Sequence, residues 1–316
     1  MKYFRTYPWG MQLLLFLLMS FTFMSSIGAI VLGVFPKLSG FAIADLAGIT
    51  AQSPAKLIHT SLVVQGIQNL FIFLLPAATF AYLAHPEPAA YLGLRKPGKP
   101  LQMLLVVLVM AGAMPILILI ENLIGQIDFG AKVKAAQAVN DNIMRAYLKM
   151  PTITDFLRTF VVMAIIPAVG EELFFRGTLM RFARKRSRTM IFPILFTAAV
   201  FSYSHTNIYG YLPIFLAGSL LAFIYQLTGS LWCSIVAHMF FNGAQIVLHY
   251  IGGDSIDKIT EQGGVYYGIV AAVVVVFIGA FYMLLKHSTP LPEDWAEDYT
   301  PAERNYLKEK RGPETF

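Results

Sequence analysis

Two long stretches of this sequence contain no charged residue. They cover residues 101–120 and 265–285, and at about 20 residues each is long enough to cross the hydrocarbon core of a bilayer as an α-helix. Charged residues make up 13% of the 316 residues, about half the proportion typical of soluble domains. The short alternating segments of a transmembrane β-barrel are not present. The sequence therefore predicts an all-α fold, a polytopic membrane helix bundle.

Apolar segments of this kind recur along the chain and predict about eight transmembrane helices. They lie near residues 11–35, 57–84, 101–124, 156–180, 190–206, 210–228, 231–251 and 265–286. The predicted organisation is a cytoplasmic N-terminus (1–10), a transmembrane domain (11–286) and a charged cytoplasmic tail (287–316), either a short helix or disordered. Residues 132–149 place apolar side chains at helical spacing among charges, which predicts an amphipathic helix at the outer interface. A role for it in gating substrate entry is an alternative.

The basic residues cluster in segments that the predicted helices place on one side. Lys2 and Arg5 precede the first helix, residues 95–99 (RKPGK) follow the second, and residues 181–188 (RFARKRSR) follow the fourth. Because cytoplasmic loops are enriched in Lys and Arg, this side and both termini are predicted to be cytoplasmic, in the inner membrane if the protein is bacterial. The same bias explains the net charge of +6, so no nucleic-acid partner is expected. The single cysteine, Cys233, excludes an internal disulfide.

One predicted helix carries three ionisable residues, in the sequence PAVGEELFFRG (167–177). Glu172 and Arg176 are four positions apart and share a face of the helix, which predicts an ion pair because an unpaired buried charge is strongly penalised. Glu171 points away from Arg176 and has no partner in its own helix. Because ionisable residues inside a membrane are costly, Glu171 is a candidate functional residue.

Two later predicted helices carry the other polar pairs. Phe201 and His205 (FSYSH) share a face of the fifth, and His238 and Asn242 (HMFFN) share a face of the seventh. If both faces meet Glu171, one site holds a carboxylate, two imidazoles and a carboxamide. A carboxylate and an imidazole can deprotonate water for attack on a carbonyl, and an imidazole with an amide N–H can stabilise the oxyanion. Each feature alone is typical of structural hydrogen bonding, but their joint occurrence favours peptide-bond hydrolysis.

These motifs resemble those of the CPBP family of intramembrane endopeptidases, which includes the type II CAAX prenyl proteases. EELFFR matches EExxxR, FSYSH matches FxxxH and HMFFN matches HxxxN, in the same order, over about residues 155–251. The resemblance implies that Glu171 and His205 activate a water, and that His238 and Asn242 form the oxyanion hole. The residues that it implies in supporting roles are Glu172, Arg176 and Phe201.

No cofactor is expected under this interpretation. In the alternative, a metal-dependent enzyme, Glu171, His205 and His238 would bind a divalent ion such as zinc. The sequence has no HExxH motif, and Glu172 is expected to be committed to Arg176. The expected partners are the lipid bilayer and a membrane-associated peptide or protein as substrate.

Two functions of other classes are alternatives to proteolysis. The first is a non-catalytic membrane scaffold, such as an immunity or sorting protein that retains the fold, but a scaffold does not need an unpaired Glu171. The second is a proton-coupled transporter, in which Glu171 and the two histidines would form a relay. A transporter predicts polar residues along several helices, and the third and eighth predicted helices offer almost none.

Overall fold

The computed structural model describes residues 3–253, 263–299, 303, 305–306 and 309. Within this part of the chain the fold is all-α, without a strand. The main helices of the described part, in chain order, are α1 (Trp9–Ser39), α2 (Ala55–Ala84), α3 (Leu101–Gly125), α4 (Ala131–Tyr147), α5 (Ile153–Arg184), α6 (Ile191–Ser204), α7 (Tyr211–Thr228), α8 (Leu231–Gly252) and α9 (Gly263–Lys286).

Seven of the helices in the described residues, all except α4 and α6, are long and apolar enough to cross a membrane. The chain is therefore an integral multi-pass membrane protein, and the predicted helix bundle is confirmed. The remaining predicted span, 190–206, is the 14-residue helix α6, which is apolar but only about 21 Å long. Directly after it, Thr206 has a φ of +51°, a left-handed conformation that a β-branched residue rarely adopts.

Helix α5 lies at the centre of the bundle, in contact with α2, α6 and α8. It contains π-helical turns at Val161–Ile165 and Leu173–Leu179, and α2 contains one at Leu70–Leu74. Pro76 and Pro167 each follow such a turn. A proline ring in a regular helix clashes with the carbonyl four residues before it. In both cases that carbonyl belongs to the π-helical turn, which is wider than a turn of α-helix and accommodates the ring. The candidate glutamates fall between the two widened turns of α5.

The basic segments meet at one end of the bundle, as the loop pattern predicts. The Trp9 indole of α1 donates to the Phe182 carbonyl of α5 at 3.2 Å. Arg181 donates to the Tyr91 carbonyl, in the connection after α2, at 3.3 Å. The start of α1, the connection after α2 and the end of α5 therefore share this end, while Lys2 lies outside the described residues.

The first part of the tail packs against the same end of the bundle. Trp295 is 9% exposed, and its ring centre lies 5.7 Å from that of Tyr225 on α7. Asp298 forms an ion pair with Lys185 at 2.6 Å. Residues 287–299 thus differ from the predicted short helix or disordered extension, because Trp295 supplies an apolar anchor for the segment. Most of the remaining tail lies outside the described residues.

Helix α4 lies at the opposite end and corresponds to the predicted amphipathic helix. Most of its surface is exposed, but Tyr147 is buried and its hydroxyl lies 2.6 Å from Ser61 Oγ of α2. Burial raises the pKa of the Tyr147 hydroxyl, which keeps it protonated as a hydrogen-bonding group. Nearby, His59 contacts Asp155 at 2.9 Å, a pairing that the sequence does not indicate.

Candidate active site

The Glu172 and Arg176 side chains of α5 form the buried ion pair that their spacing predicts. Arg176 Nη1 donates to Glu172 Oε1 at 2.6 Å, and both side chains are fully buried. Nη2 donates to the Gly218 carbonyl of α7 at 2.7 Å. The guanidinium carbon also lies 4.7 Å from the centre of the Phe201 ring on α6. Arg176 therefore joins α5 to α6 and α7 while it neutralises Glu172.

Glu172 also fixes the orientation of His238 on α8. Its Oε1 lies 3.0 Å from His238 Nδ1, and its Oε2 accepts a hydrogen bond from Ser234 Oγ at 2.7 Å. A carboxylate paired with Arg176 is ionised and only accepts, so His238 Nδ1 carries a proton and donates. The neutral imidazole then has its lone pair at Nε2.

The second ring nitrogen of His238, Nε2, faces the other glutamate. His238 Nε2 lies 3.9 Å from Glu171 Oε2, and this oxygen is buried without a hydrogen-bond partner among the described residues. When the ring is neutral both atoms are acceptors, and a water that donates one O–H to each, at about 2.8 Å, would satisfy the pair. A carboxylate and an imidazole that share a water are the groups that general-base hydrolysis requires.

A carboxamide from α2 completes the surroundings of Glu171. Asn69 Nδ2 donates to Glu171 Oε1 at 3.0 Å, across 102 positions of sequence. The motifs do not identify Asn69, since it meets Glu171 only when α2 packs on α5; its place before the apolar run LFIFLL is the one signal in the sequence. Ser234 is also missing from the predicted set, although it lies four residues before His238 and shares its face of α8.

The structure brings His238 rather than His205 next to Glu171. His205 is exposed at the end of α6, and its Nδ1 donates to the Phe201 carbonyl at 2.8 Å. The Phe201 ring contacts both imidazoles, with its centre 4.7 Å from that of His205 and 5.8 Å from that of His238. Asn242 is half-buried one turn beyond His238, on the same face of α8.

The alternative metal site is not assembled in this structure. Its predicted ligands are Glu171, His205 and His238, but within the described part of the chain no three His, Cys, Asp or Glu side chains are grouped to hold a metal ion. His238 Nδ1 is committed to Glu172, and the His205 ring lies beside Phe201 at the exposed end of α6. The three predicted ligands are therefore not brought together among the described residues.

Comparison with protein families gives a match to the part of the chain that carries the motifs. Residues 153–244 match the family described as type II CAAX prenyl endopeptidase Rce1-like. The matched segment runs from the start of α5 into α8 and contains all three motifs, so it confirms the resemblance that they indicate. A search of curated proteins and a search of solved structures each found no match.

Proposed function

We propose that the protein is an intramembrane endopeptidase that hydrolyses a peptide bond with a water activated by Glu171. The observation that carries this proposal is the approach of two buried atoms, Glu171 Oε2 and His238 Nε2, which lie 3.9 Å apart. The match of residues 153–244 to an endopeptidase family supports the same activity. A non-catalytic scaffold would have no use for a buried carboxylate oxygen that lacks a hydrogen-bond partner among the described residues.

In the proposed mechanism Glu171 Oε2 takes a proton from the water, and the water oxygen attacks the carbonyl carbon of the scissile bond. His238 Nε2 accepts the other O–H and holds the water, while Glu172 keeps the imidazole in the required tautomer. Charge develops on the carbonyl oxygen, to which the Asn242 side chain donates. Glu171 then transfers its proton to the leaving nitrogen as the C–N bond breaks.

The proposed roles of the two histidines differ from those that the family motifs imply. Proximity to Glu171 favours His238 as the imidazole that holds the water. Because His205 Nδ1 donates to the Phe201 carbonyl, its Nε2 is unprotonated in the neutral ring and remains a second base. His205 is exposed, so we place it at the edge of the site that the substrate reaches first.

The proposed substrate is a membrane-associated peptide or protein, and the other partner is the lipid bilayer. We propose no cofactor. We also propose that the basic end and both termini face the cytoplasm, in the inner membrane if the protein is bacterial. A cysteine introduced at the exposed Lys96, in a Cys233→Ala background, should react with an impermeant maleimide only after lysis. Labelling in intact cells would reverse the orientation.

Cleavage of a quenched-fluorescence peptide library by the purified protein in detergent tests the activity. Glu171→Gln is expected to lower turnover by about 10²–10⁴-fold. Its melting temperature should change little, because the substitution removes the base without leaving a charge unpaired. Glu121→Gln is the matched control, since this carboxylate is exposed near the end of α3, and it should retain full turnover.

The outcomes separate the proposal from its alternatives. Equal turnover by wild type and Glu171→Gln would refute activation of the water by this glutamate. Loss of wild-type turnover on addition of a chelator, with recovery on addition of zinc, would establish the metal-dependent alternative instead. A folded wild-type protein that cleaves no peptide would favour the scaffold.

A further inference from the structure

We propose that Asn69 is a positioning residue for the reaction: its carboxamide holds one oxygen of Glu171 so that the other faces His238. The inference rests on the proposed function and adds to it a residue from another helix. Asn69 is 8% exposed and Glu171 is 6% exposed, so their 3.0 Å hydrogen bond is largely shielded from bulk solvent.

The two oxygens of Glu171 have different surroundings. Oε1 accepts from Asn69, whereas Oε2 lies 3.9 Å from His238 Nε2 and has no hydrogen-bond partner among the described residues. The terminal torsion of a glutamate has a broad preference, so the torsion alone does not fix the plane of the carboxylate. Asn69 is the one donor that the described part of the chain supplies to Glu171. It therefore determines which oxygen is presented to the water.

Close packing holds the Asn69 side chain in this position. A Cβ at Gly170 would lie 3.0 Å from Asn69 Oδ1 and 3.5 Å from Leu74 Cβ, so the glycine lets α2 approach α5 closely. Rotation of the carboxamide by 180° would place Oδ1 against Glu171 Oε1, and two acceptors would then face each other. The chemistry of the contact therefore requires the amide nitrogen of Asn69 to point at the glutamate.

Asn69 also lies outside residues 153–244, the segment that matches the endopeptidase family. The three motifs supply the base, the imidazoles and the buried ion pair, but they do not supply the donor to Glu171. Helix α2 does so, directly before its π-helical turn Leu70–Leu74. The N-terminal half of the chain thus contributes to the site as well as to the bundle.

The first test is a double-mutant cycle on the melting temperature of the full-length protein in detergent. Asn69→Leu leaves a buried carboxylate oxygen without its donor and should lower the melting temperature by at least about 2 °C. The combined Asn69→Leu/Glu171→Leu variant should melt higher than the sum of the two single effects predicts, since neither polar group then remains. Gln68→Leu, the loss of a half-buried carboxamide one position earlier, is the matched control and should show no coupling to Glu171→Leu.

The second test separates positioning from packing by enzyme kinetics. Asn69→Leu should lower kcat by at least about tenfold and change KM by less than about twofold, because the proposed role of Asn69 is exerted through Glu171 and not through the substrate. Asn69→Asp is nearly isosteric, and its introduced carboxyl group donates to Glu171 only while it is protonated. Two charged carboxylates in contact repel each other. The kcat of this variant should therefore be close to wild type at about pH 5.5 and fall by at least about tenfold relative to wild type by about pH 8.5.

The outcomes distinguish failure of the positioning role of Asn69 from failure of the proposed endopeptidase function. Unchanged kcat in Asn69→Leu, beside an inactive Glu171→Gln, would overturn the positioning role and leave the proposed function standing. Additive melting temperatures would show that the two side chains do not interact and would also overturn it. An equal loss of kcat by Asn69→Asp at both pH values would identify a packing role instead. Full activity of Glu171→Gln would overturn the proposed function itself.

Discussion

Arg176 allows an ionised glutamate to exist inside the bundle. Its side chain is fully buried and donates to Glu172 and to the Gly218 carbonyl. Removing two charges from water is unfavourable, and the pair is tolerated only while both partners are present. Because Glu172 also holds Nδ1 of His238, the loss of Arg176 affects the imidazole that faces Glu171.

Arg176→Leu is expected to destabilise the protein by about 3–5 kcal/mol, because it leaves the charge of Glu172 unpaired in the interior. The double variant Glu172→Gln/Arg176→Leu should recover part of this stability, since no charge is then left alone. It should remain inactive, because His238 loses its carboxylate partner. Thermal unfolding and peptide cleavage in detergent measure both effects. A double variant no more stable than Arg176→Leu would contradict the explanation.

Helical spacing predicts some of these contacts and not others. Glu172 and Arg176 are four positions apart in one helix, so local geometry alone predicts their pair. The distances of the two histidines from Glu171 depend on how α6 and α8 pack against α5. The spacing of residues along the sequence carries no information about that packing. The contact of Asn69 with Glu171 spans 102 positions and is unpredictable for the same reason.

Among the helices, the packing of α6 on α7 depends on a glycine. A Cβ at Gly218 would lie 3.0 Å from Phe201 Cδ1 and 3.4 Å from the Ala198 Cα. Small residues let membrane helices approach closely, and here the approach sets the position of the Phe201 ring beside both histidines. Gly218 also supplies the carbonyl that accepts a hydrogen bond from Arg176.

Gly218→Ala is expected to push α6 away from α7 and to destabilise the protein by about 1–3 kcal/mol. Turnover should fall by about tenfold, because displacement of Phe201 disturbs the two imidazoles that it contacts. Gly28→Ala is the matched control: no heavy atom lies within 4 Å of its Cβ position, and alanine favours helix by up to about 1 kcal/mol. Similar melting temperatures and turnover in the two variants would show that the close contact of Gly218 with α6 matters neither for stability nor for activity.

Apolar runs predict where the helices lie, because the transfer of uncharged segments into lipid depends on composition. The predicted segment 101–124 differs from α3 (Leu101–Gly125) by one residue. The segment 156–180 is shorter than α5, since Arg181 continues the helix as a buried residue. Hydropathy does not predict the burial of Arg181. That burial depends on two carbonyls far away in the sequence, those of Tyr91 and Glu297, which both accept hydrogen bonds from Arg181.

Residues 287–299 of the tail cover the basic end of the bundle. Arg181 lies 5.7 Å from the centre of the Trp295 ring and donates to the Glu297 carbonyl at 2.7 Å. Burial lowers the pKa of Lys185, and its ion pair with Asp298 opposes that shift. The tail carboxylate thus supports a lysine in its charged form at a partly buried position.

Trp295→Ala is expected to destabilise the protein by about 3–5 kcal/mol, because it removes the large apolar anchor of the tail. The tail should then become accessible to protease. Trp232→Ala is the matched control, since Trp232 is 42% exposed at the start of α8, and it should cause a smaller loss. Melting temperatures and limited proteolysis of both variants check this, and equal effects would contradict a docked tail.

The short helix α6 has a consequence for the surrounding lipid. A 14-residue helix is about 21 Å long, against a hydrocarbon core of about 30 Å, so the bilayer meets this side of the protein with a hydrophobic mismatch of about 9 Å. Bilayers relieve such a mismatch by thinning locally. Thinning beside α6 would bring interfacial water towards the exposed His205 and shorten the layer of hydrocarbon that a polar peptide bond crosses to reach this side of the protein.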